Sequence, residues 1–292
     1  RTNNLENILE LRQVSKSFPG SSFRLEDISF SLPYGAVLGF VGENGAGKTS
    51  TIGCILNTIA QYGGSIKLFG KEMRDSDTDI RERIGVVYDG DNFPSYLSAN
   101  QVSEIMAGIY KNWDKTLFRH YLEKFKLAPT QKIKQYSRGM TMKLAIAAAL
   151  SHHPQLLVLD EATSGLDPIM RDEMLDVFLD FVQDERHSIL LSSHITSDLE
   201  KIADYITFIH NGRLIFSALK DDLRYNYAVM RCSENQFQAL NQEDMMAYLK
   251  RDYQVDVLLS DGKAAQRKYK DAVIDHVSID EIMLLLIKGE RI

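Results

Sequence analysis

The apolar positions of the chain fall into runs whose spacing changes along its length. Ile8–Val14 and Phe23–Phe30 are rich in β-branched and aromatic residues and are separated by Pro19, Gly20 and two serines, a pattern that predicts two strands. Val37–Val41 follows a Pro33-Tyr34-Gly35 turn as an unbroken apolar run and reads as a buried strand. Ile52, Ile55, Leu56 and Ile59 then recur at helical spacing. From about Pro94 to Pro154 the pattern is mainly helical. Leu117, Phe118, Tyr121, Leu122 and Phe125 form one stripe, and Thr141–Leu150 is alanine-rich. Leu156–Leu159 and Ser188–Ser192 read as buried strands around a helix over Met170–Val182. Strands separated by helices predict a parallel sheet covered on both faces, an α/β fold. Ile206–His210, Asn211-Gly212 and Arg213–Phe216 predict a hairpin with a type I′ turn.

The composition changes after about Ala218, so the expected division is residues 1–218 and residues 219–292. A helical subdomain is expected at about 90–154 within the first. The second part reads as a small α+β unit. Val255–Leu259 and Ala272–Val277 are its candidate strands, and Asn241 with Glu243 and Asp244 its candidate helix start. Ser278-Ile279-Asp280-Glu281 has the capping-box pattern ahead of Ile282–Ile287. Internal repeats and low-complexity linkers are absent from the sequence.

The 292 residues are 44% hydrophobic and 25% charged, an ordinary globular mixture able to bury a core without crosslinks. Two cysteines exclude a disulfide scaffold and are too few for a structural zinc site on their own. The formal charge of −6 argues against a nucleic-acid partner. The apolar runs Leu144–Leu150 and Ile282–Ile287 fall far short of the roughly 20 residues that cross a bilayer. Arg1–Glu10 has no apolar signal region, and the sequence reads as intracellular.

The strongest chemical signal is Gly42-Glu43-Asn44-Gly45-Ala46-Gly47-Lys48-Thr49, placed between a strand and a helix. This is P-loop spacing. Glycines let the backbone wrap a phosphate, and the amide hydrogens converge on it at a helix N-terminus. Lys48 reaches the terminal phosphates, and the Thr49 hydroxyl can ligate Mg²⁺. Downstream, Leu156–Leu159 ends in Asp160 and Glu161, which puts two carboxylates at the strand's C-terminal edge, where open α/β sheets bind ligands. Asp160 suits Mg²⁺, usually through water, and Glu161 suits an attacking water.

These motifs resemble those of the ATP-binding subunits of ABC transporters, over roughly residues 8 to 217. Tyr136-Ser137-Arg138-Gly139-Met140, ahead of the alanine-rich helix, resembles the family's signature motif, and Ser164-Gly165-Leu166-Asp167 resembles its D-loop. His194, in Ser192-Ser193-His194, resembles its switch histidine. The resemblance implies a P-loop NTPase fold with an antiparallel β subdomain, an inserted helical subdomain and a C-terminal extension. It implies Mg²⁺-dependent ATP hydrolysis with Glu161 and His194 as catalytic residues. Two ATPase subunits, identical or different, would sandwich ATP between the P-loop of one (Gly42, Asn44, Gly45, Ala46, Gly47, Lys48, Thr49 and Ser50) and Ser137 and Gly139 of the other. Asp167 would position elements across that interface. Phe18 fits the place of the aromatic ring that stacks on adenine. An integral membrane permease would be the further partner, placing this chain in the cytoplasm at the inner face of the membrane. Energy coupling for transport is the leading function. A soluble ABC ATPase of macromolecular assembly or repair is the alternative.

The sequence departs from the family pattern in three places. Arg138 and Met140 replace a glycine and a glutamine of the signature; Arg138 either crowds the nucleotide cap or adds a cation near phosphate. Asp89, after Ile84–Tyr88, stands where the family has a glutamine and brings a possible metal-binding carboxylate. Ala162 replaces a proline, which bears on loop stiffness. Such variants resemble bacterial exporters of antimicrobial peptides or drugs, so export of a peptide, drug or similar amphipathic compound is expected. Phe93, Pro94 and Tyr96 suit either a groove for a permease helix or packing within the helical subdomain. Lys263, Arg267, Lys268 and Lys270 read as a solvated basic face, and the tail as a dimer-contact or regulatory element.

Overall fold

The computed structural model describes residues 6–73 and 77–292, so Arg1–Leu5 of the N-terminal reading lie outside the described residues. The chain forms two compact units, one ending at Ser217 and the other beginning at Ala218.

The first unit is built on strands β1 (Asn7–Ser17), β2 (Arg24–Pro33), β3 (Val37–Val41), β4 (Gly63–Leu68), β5 (Lys71–Glu72), β6 (Ile84–Tyr88), β7 (Leu156–Asp160), β8 (Ser188–Ser193), β9 (Tyr205–His210) and β10 (Arg213–Leu219). Its helices are α1 (Lys48–Ile55), α2 (Thr78–Glu82), α3 (Ala99–Ile109), α4 (Lys115–Lys124), α5 (Arg138–Leu150), α6 (Pro168–Phe181) and α7 (Thr196–Ile202). The strands lie in the order β5-β4-β1-β2-β10-β9-β3-β8-β7-β6. At one end β5, β4, β1 and β2 pair antiparallel, and at the other β9, β3, β8, β7 and β6 pair parallel.

Every residue of β3, β7 and β8 is buried, as strands covered on both faces require. Asn211 and Gly212 both have positive φ (48° and 73°), the type I′ geometry between β9 and β10. A Cβ at Gly212 would lie 1.8 Å from the Arg24 carbonyl oxygen, so only glycine fits there. The helices start where short polar side chains accept backbone N–H groups: Ser98 before α3, in a capping box with Gln101, and Asp114 before α4. Helix α5 is buried nearly all round, and its alanines let it approach its neighbours closely.

One buried histidine gives the helical segment a pH dependence. His152 is 1% exposed, stacks on Tyr110 at 3.9 Å between centroids, and donates from Nδ1 to the Glu82 carbonyl oxygen at 3.0 Å. Burial pushes its pKa down, against the pull of Glu82. The folded state therefore favours the neutral ring. Its contribution to stability is complete above the unfolded pKa of about 6.5 and is lost as pH falls from there through the lower folded value. We expect the melting temperature to fall more steeply below about pH 6.5 in the wild type than in His152→Phe, which keeps the stack and removes the titration. Parallel curves for the two proteins would show that His152 does not contribute this dependence.

The second unit contains β11 (Ala228–Cys232), β12 (Met245–Lys250), β13 (Val255–Leu259), β14 (Val273–His276) and β15 (Glu290–Arg291), with α8 (Lys220–Asn226), α9 (Glu234–Gln238), α10 (Gly262–Lys268) and α11 (Ile279–Lys288). Its sheet order is β14-β11-β13-β12-β15, with antiparallel pairing throughout. The helix expected after Asn241 is not formed. Gln242–Asp244 makes a single 3₁₀ turn, the Asp244 carboxylate accepts from Lys268 and the Tyr269 hydroxyl, and the chain enters β12 to pair with β13. Burial of Met245 and Ala247 in the sheet overrides the local helix signal. Ser278 accepts the Glu281 N–H as expected, but the Glu281 carboxylate accepts from Arg231 at 2.7 Å instead of closing the capping box. Asp256 is buried between Arg231 and Arg251. Burial would raise its pKa, but the two guanidinium groups outweigh that and hold it below the ordinary carboxylate range. Cys54 and Cys232 are buried free thiols.

Candidate nucleotide-hydrolysis site

The register of the parallel strands brings the site together. Val41 pairs with Ser193, and Ser192 with Asp160, so the C-terminal ends of β3, β8 and β7 lie side by side. The P-loop leaves β3, Asp160 ends β7, and His194 follows β8.

Gly45 and Gly47 have φ of 83° and 113°, dihedrals that open the loop's amides inward. A Cβ at Gly42 would meet the Ile209 carbonyl oxygen at 2.5 Å. Gly47 caps α1 without a side-chain hydrogen bond, so the first amides of that helix are open to an anion. The Lys48 ammonium, 6% exposed, donates to the Gly42 carbonyl and to that of Glu43 at 3.3 Å, and lies 3.1 Å from Glu161 Oε1. Glu161 Oε2 is 2.8 Å from His194 Nδ1. Glu161 therefore bridges the P-loop lysine and the histidine. His194 is 42% exposed at its side chain and accessible to an arriving phosphate. Thr49 Oγ1 donates to Asp160 Oδ2 at 3.0 Å.

A cavity of about 440 Å³ lies above these groups, lined by Phe23, Glu43, Asn44, Gly45, Gly47, Lys48, Thr49, Ser50 and Glu161. Phe23 was not among the residues expected from sequence. Phe18 touches it, with centroids 6.0 Å apart, but does not line the cavity itself. The signal for Phe23 was an aromatic on the far side of the same turn, where β1 and β2 pair and bring both rings to one end.

Ser137, Gly139 and Asp167 do not line this cavity. Ser137 caps α5, accepting the Met140 N–H at 3.2 Å. A Cβ at Gly139 would lie 1.8 Å from Met170 Sδ, so the Met170 side chain sits directly on the Gly139 backbone and would have to move for any larger residue. Asp167 caps α6, accepting from Ile169 and Met170. Asp89 is held by Arg138, with Nη2 2.7 Å from Oδ1. The Arg138 guanidinium also lies over Gly165, where an added Cβ would be 2.7 Å from Cζ. The two departures from the family pattern thus neutralise one another. Among the described residues, no group of three His, Cys, Asp or Glu side chains is placed to hold a metal ion. No described helix is long and apolar enough to cross a membrane.

A phosphate-wrapping loop, a carboxylate aimed at it and a histidine at the same sheet edge define a nucleotide-hydrolysing P-loop protein. The ABC transporter family model matches residues 25–164. The bacitracin transport ATP-binding protein BcrA of Bacillus licheniformis is 33% identical over 222 residues, 75% of this chain and 72% of that protein. The lantibiotic transport ATP-binding protein SrtF of Streptococcus pyogenes is 33% identical over 210 residues, 71% of this chain and 89% of that protein. A solved structure of the ATP-binding subunit of an ABC transporter superposes with a TM-score of 0.66 at 26% identity, covering 74% of this chain and 92% of that one. The chain belongs to the ABC transporter ATP-binding proteins and is an ATPase.

Proposed function

We propose that this ATPase powers the export of antimicrobial peptides or similar amphipathic compounds through a separate integral membrane permease. It would work as a dimer of ATP-binding subunits at the inner face of the membrane. The observation that carries the hydrolytic part is Glu161 held between Lys48 and His194 at the mouth of the P-loop. The peptide class is supported by the similarity to bacitracin and lantibiotic transport proteins.

In this reading the P-loop amides and Lys48 bind the β- and γ-phosphates. The triphosphate gives Lys48 a new partner and leaves Glu161 to accept a proton from the attacking water, while His194 holds the γ-phosphate. Phe23, backed by Phe18, forms the wall for adenine. Asp160 and Thr49 offer hard oxygen donors that fit Mg²⁺, with phosphate oxygens and waters completing its shell. When bound, the ion supplies charge neutralisation at the phosphates. Asp89 would join that shell only on leaving Arg138. Ser137, Gly139 and Asp167 lie outside their own chain's cavity and would meet the nucleotide and loops of a second subunit. Tyr96, 69% exposed, stands beside a groove lined by Leu97, Gln101 and Ile105, a surface suited to a permease helix.

Solubilising membranes in mild detergent and purifying the chain should recover a polytopic membrane protein with it. Recovery from the soluble fraction alone, with no such partner, would contradict the transport reading.

A further inference from the structure

We propose that Ser192 is a positioning residue that locks the two acids of the site together, holding Asp160 for the metal and Glu161 for the water with one hydroxyl. The proposal rests on the Mg²⁺-dependent hydrolysis put forward above.

Ser192 lies on β8 between β3 and β7, paired with Phe40 on one side and Asp160 on the other, and is fully buried. Its Oγ donates to Asp160 Oδ1 at 2.6 Å and accepts the Glu161 N–H at 3.1 Å. These roles are fixed by chemistry. An ionised carboxylate only accepts and a backbone N–H only donates, so the hydroxyl's single hydrogen goes to Asp160 and a lone pair to Glu161. With Thr49 donating to Oδ2, both oxygens of Asp160 are pinned and its carboxylate plane is set. The Ser192 carbonyl accepts the same Glu161 N–H at 3.2 Å.

Glu161 needs that restraint. Successive residues of an extended strand direct their side chains to opposite faces, yet Asp160 and Glu161 both serve the P-loop. The chain reconciles this with φ of 53° at Glu161, a left-handed conformation costly for a residue with a side chain. Two acceptors from Ser192 hold that turn. Removing the hydroxyl would leave the buried Asp160 Oδ1 and part of the Glu161 N–H without this partner, and would free both acids to reorient.

The test uses the full chain with Ser192→Ala and Ser192→Thr. Mg²⁺ is titrated against binding of a fluorescent ATP analogue, alongside kcat, KM and the melting temperature. One buried hydrogen bond to a carboxylate corresponds to about tenfold or more. Ser192→Ala should therefore raise the Mg²⁺ half-saturation about tenfold and lower kcat about tenfold to a hundredfold, with KM for ATP within about threefold. Analogue binding in EDTA should be unchanged. Ser192→Thr, which restores the hydroxyl, should recover both quantities to within about threefold. A Ser192→Ala protein with a Mg²⁺ half-saturation within about twofold of wild type would overturn the proposal, as would a folded Ser192→Thr protein as impaired as Ser192→Ala. If Ser192→Ala does not fold, Ser192→Cys, with its weaker donor and acceptor, must give an intermediate Mg²⁺ shift, and a wild-type value there would count against the role. A wild type that binds and turns over ATP equally well in EDTA would instead sink the Mg²⁺ reading itself.

Discussion

Glu161→Gln is expected to lower kcat by about 10²–10⁴-fold, the range a positioned general base contributes, while ATP still binds. Gln keeps the size and one carbonyl oxygen of Glu but cannot take a proton. In the structure Glu161 touches both the P-loop lysine, at 3.1 Å, and His194, at 2.8 Å. Neutralising it also removes the negative charge beside Lys48 before nucleotide arrives, while the Gly42 and Glu43 carbonyls remain. The ATP-bound state therefore gains relative to the empty one, and KM for ATP should stay level or fall. Single-turnover measurements separate the two effects: binding is retained and phosphate release slows about 10²–10⁴-fold. A turnover within about threefold of wild type would show that another group activates the water.

Lys48→Ala carries the second large effect, on binding. Its ammonium is buried between the Gly42 and Glu43 carbonyls and Glu161. Charge-assisted hydrogen bonds to phosphate are worth about 1.5–3 kcal/mol each, so affinity for ATP should drop about tenfold to several hundredfold. The substitution also leaves the Glu161 carboxylate without its cationic partner in a poorly solvated site. The nucleotide-free variant should melt below wild type, because breaking a buried pair costs more than the pair contributes. Adding Glu161→Gln to Lys48→Ala should restore part of that loss, since the unpaired charge is then gone. A double variant no more stable than Lys48→Ala would show that the pair is not energetically coupled.

Much of the core site was legible in the sequence because its parts are local. A P-loop needs particular residues at fixed spacing, and acids or a histidine after a buried strand lie at a sheet's C-terminal edge whatever the strand order. Strand order was not legible, nor was anything that depends on it. The link from Ser192 to Asp160 and Glu161 exists because β8 pairs with β7, which no short window reveals. The Arg138–Asp89 pair joins residues far apart in the chain, each of which read alone as an anomaly. Phe23 read as the start of a strand, and only the pairing of β1 with β2 brings it beside Phe18. In the tail, acids after Asn241 mimicked a helix start. The residues that followed belonged to a sheet whose other strands lie later in the chain and earlier. Ser137 and Asp167 are each occupied in capping a helix, a local duty that is visible in one chain, whereas a role toward a second subunit is not.

The central claim is that ATP, held at this P-loop and not hydrolysed, joins two copies of the site. Size-exclusion chromatography with light scattering on Glu161→Gln tests it most directly. Incubated with Mg²⁺ and ATP, the variant should elute at twice the 33.2 kDa monomer mass when homodimeric, or in a complex with its partner ATPase subunit, and should fall apart with ADP. A protein that binds ATP at saturation and stays a monomer, with or without that subunit present, would contradict the account.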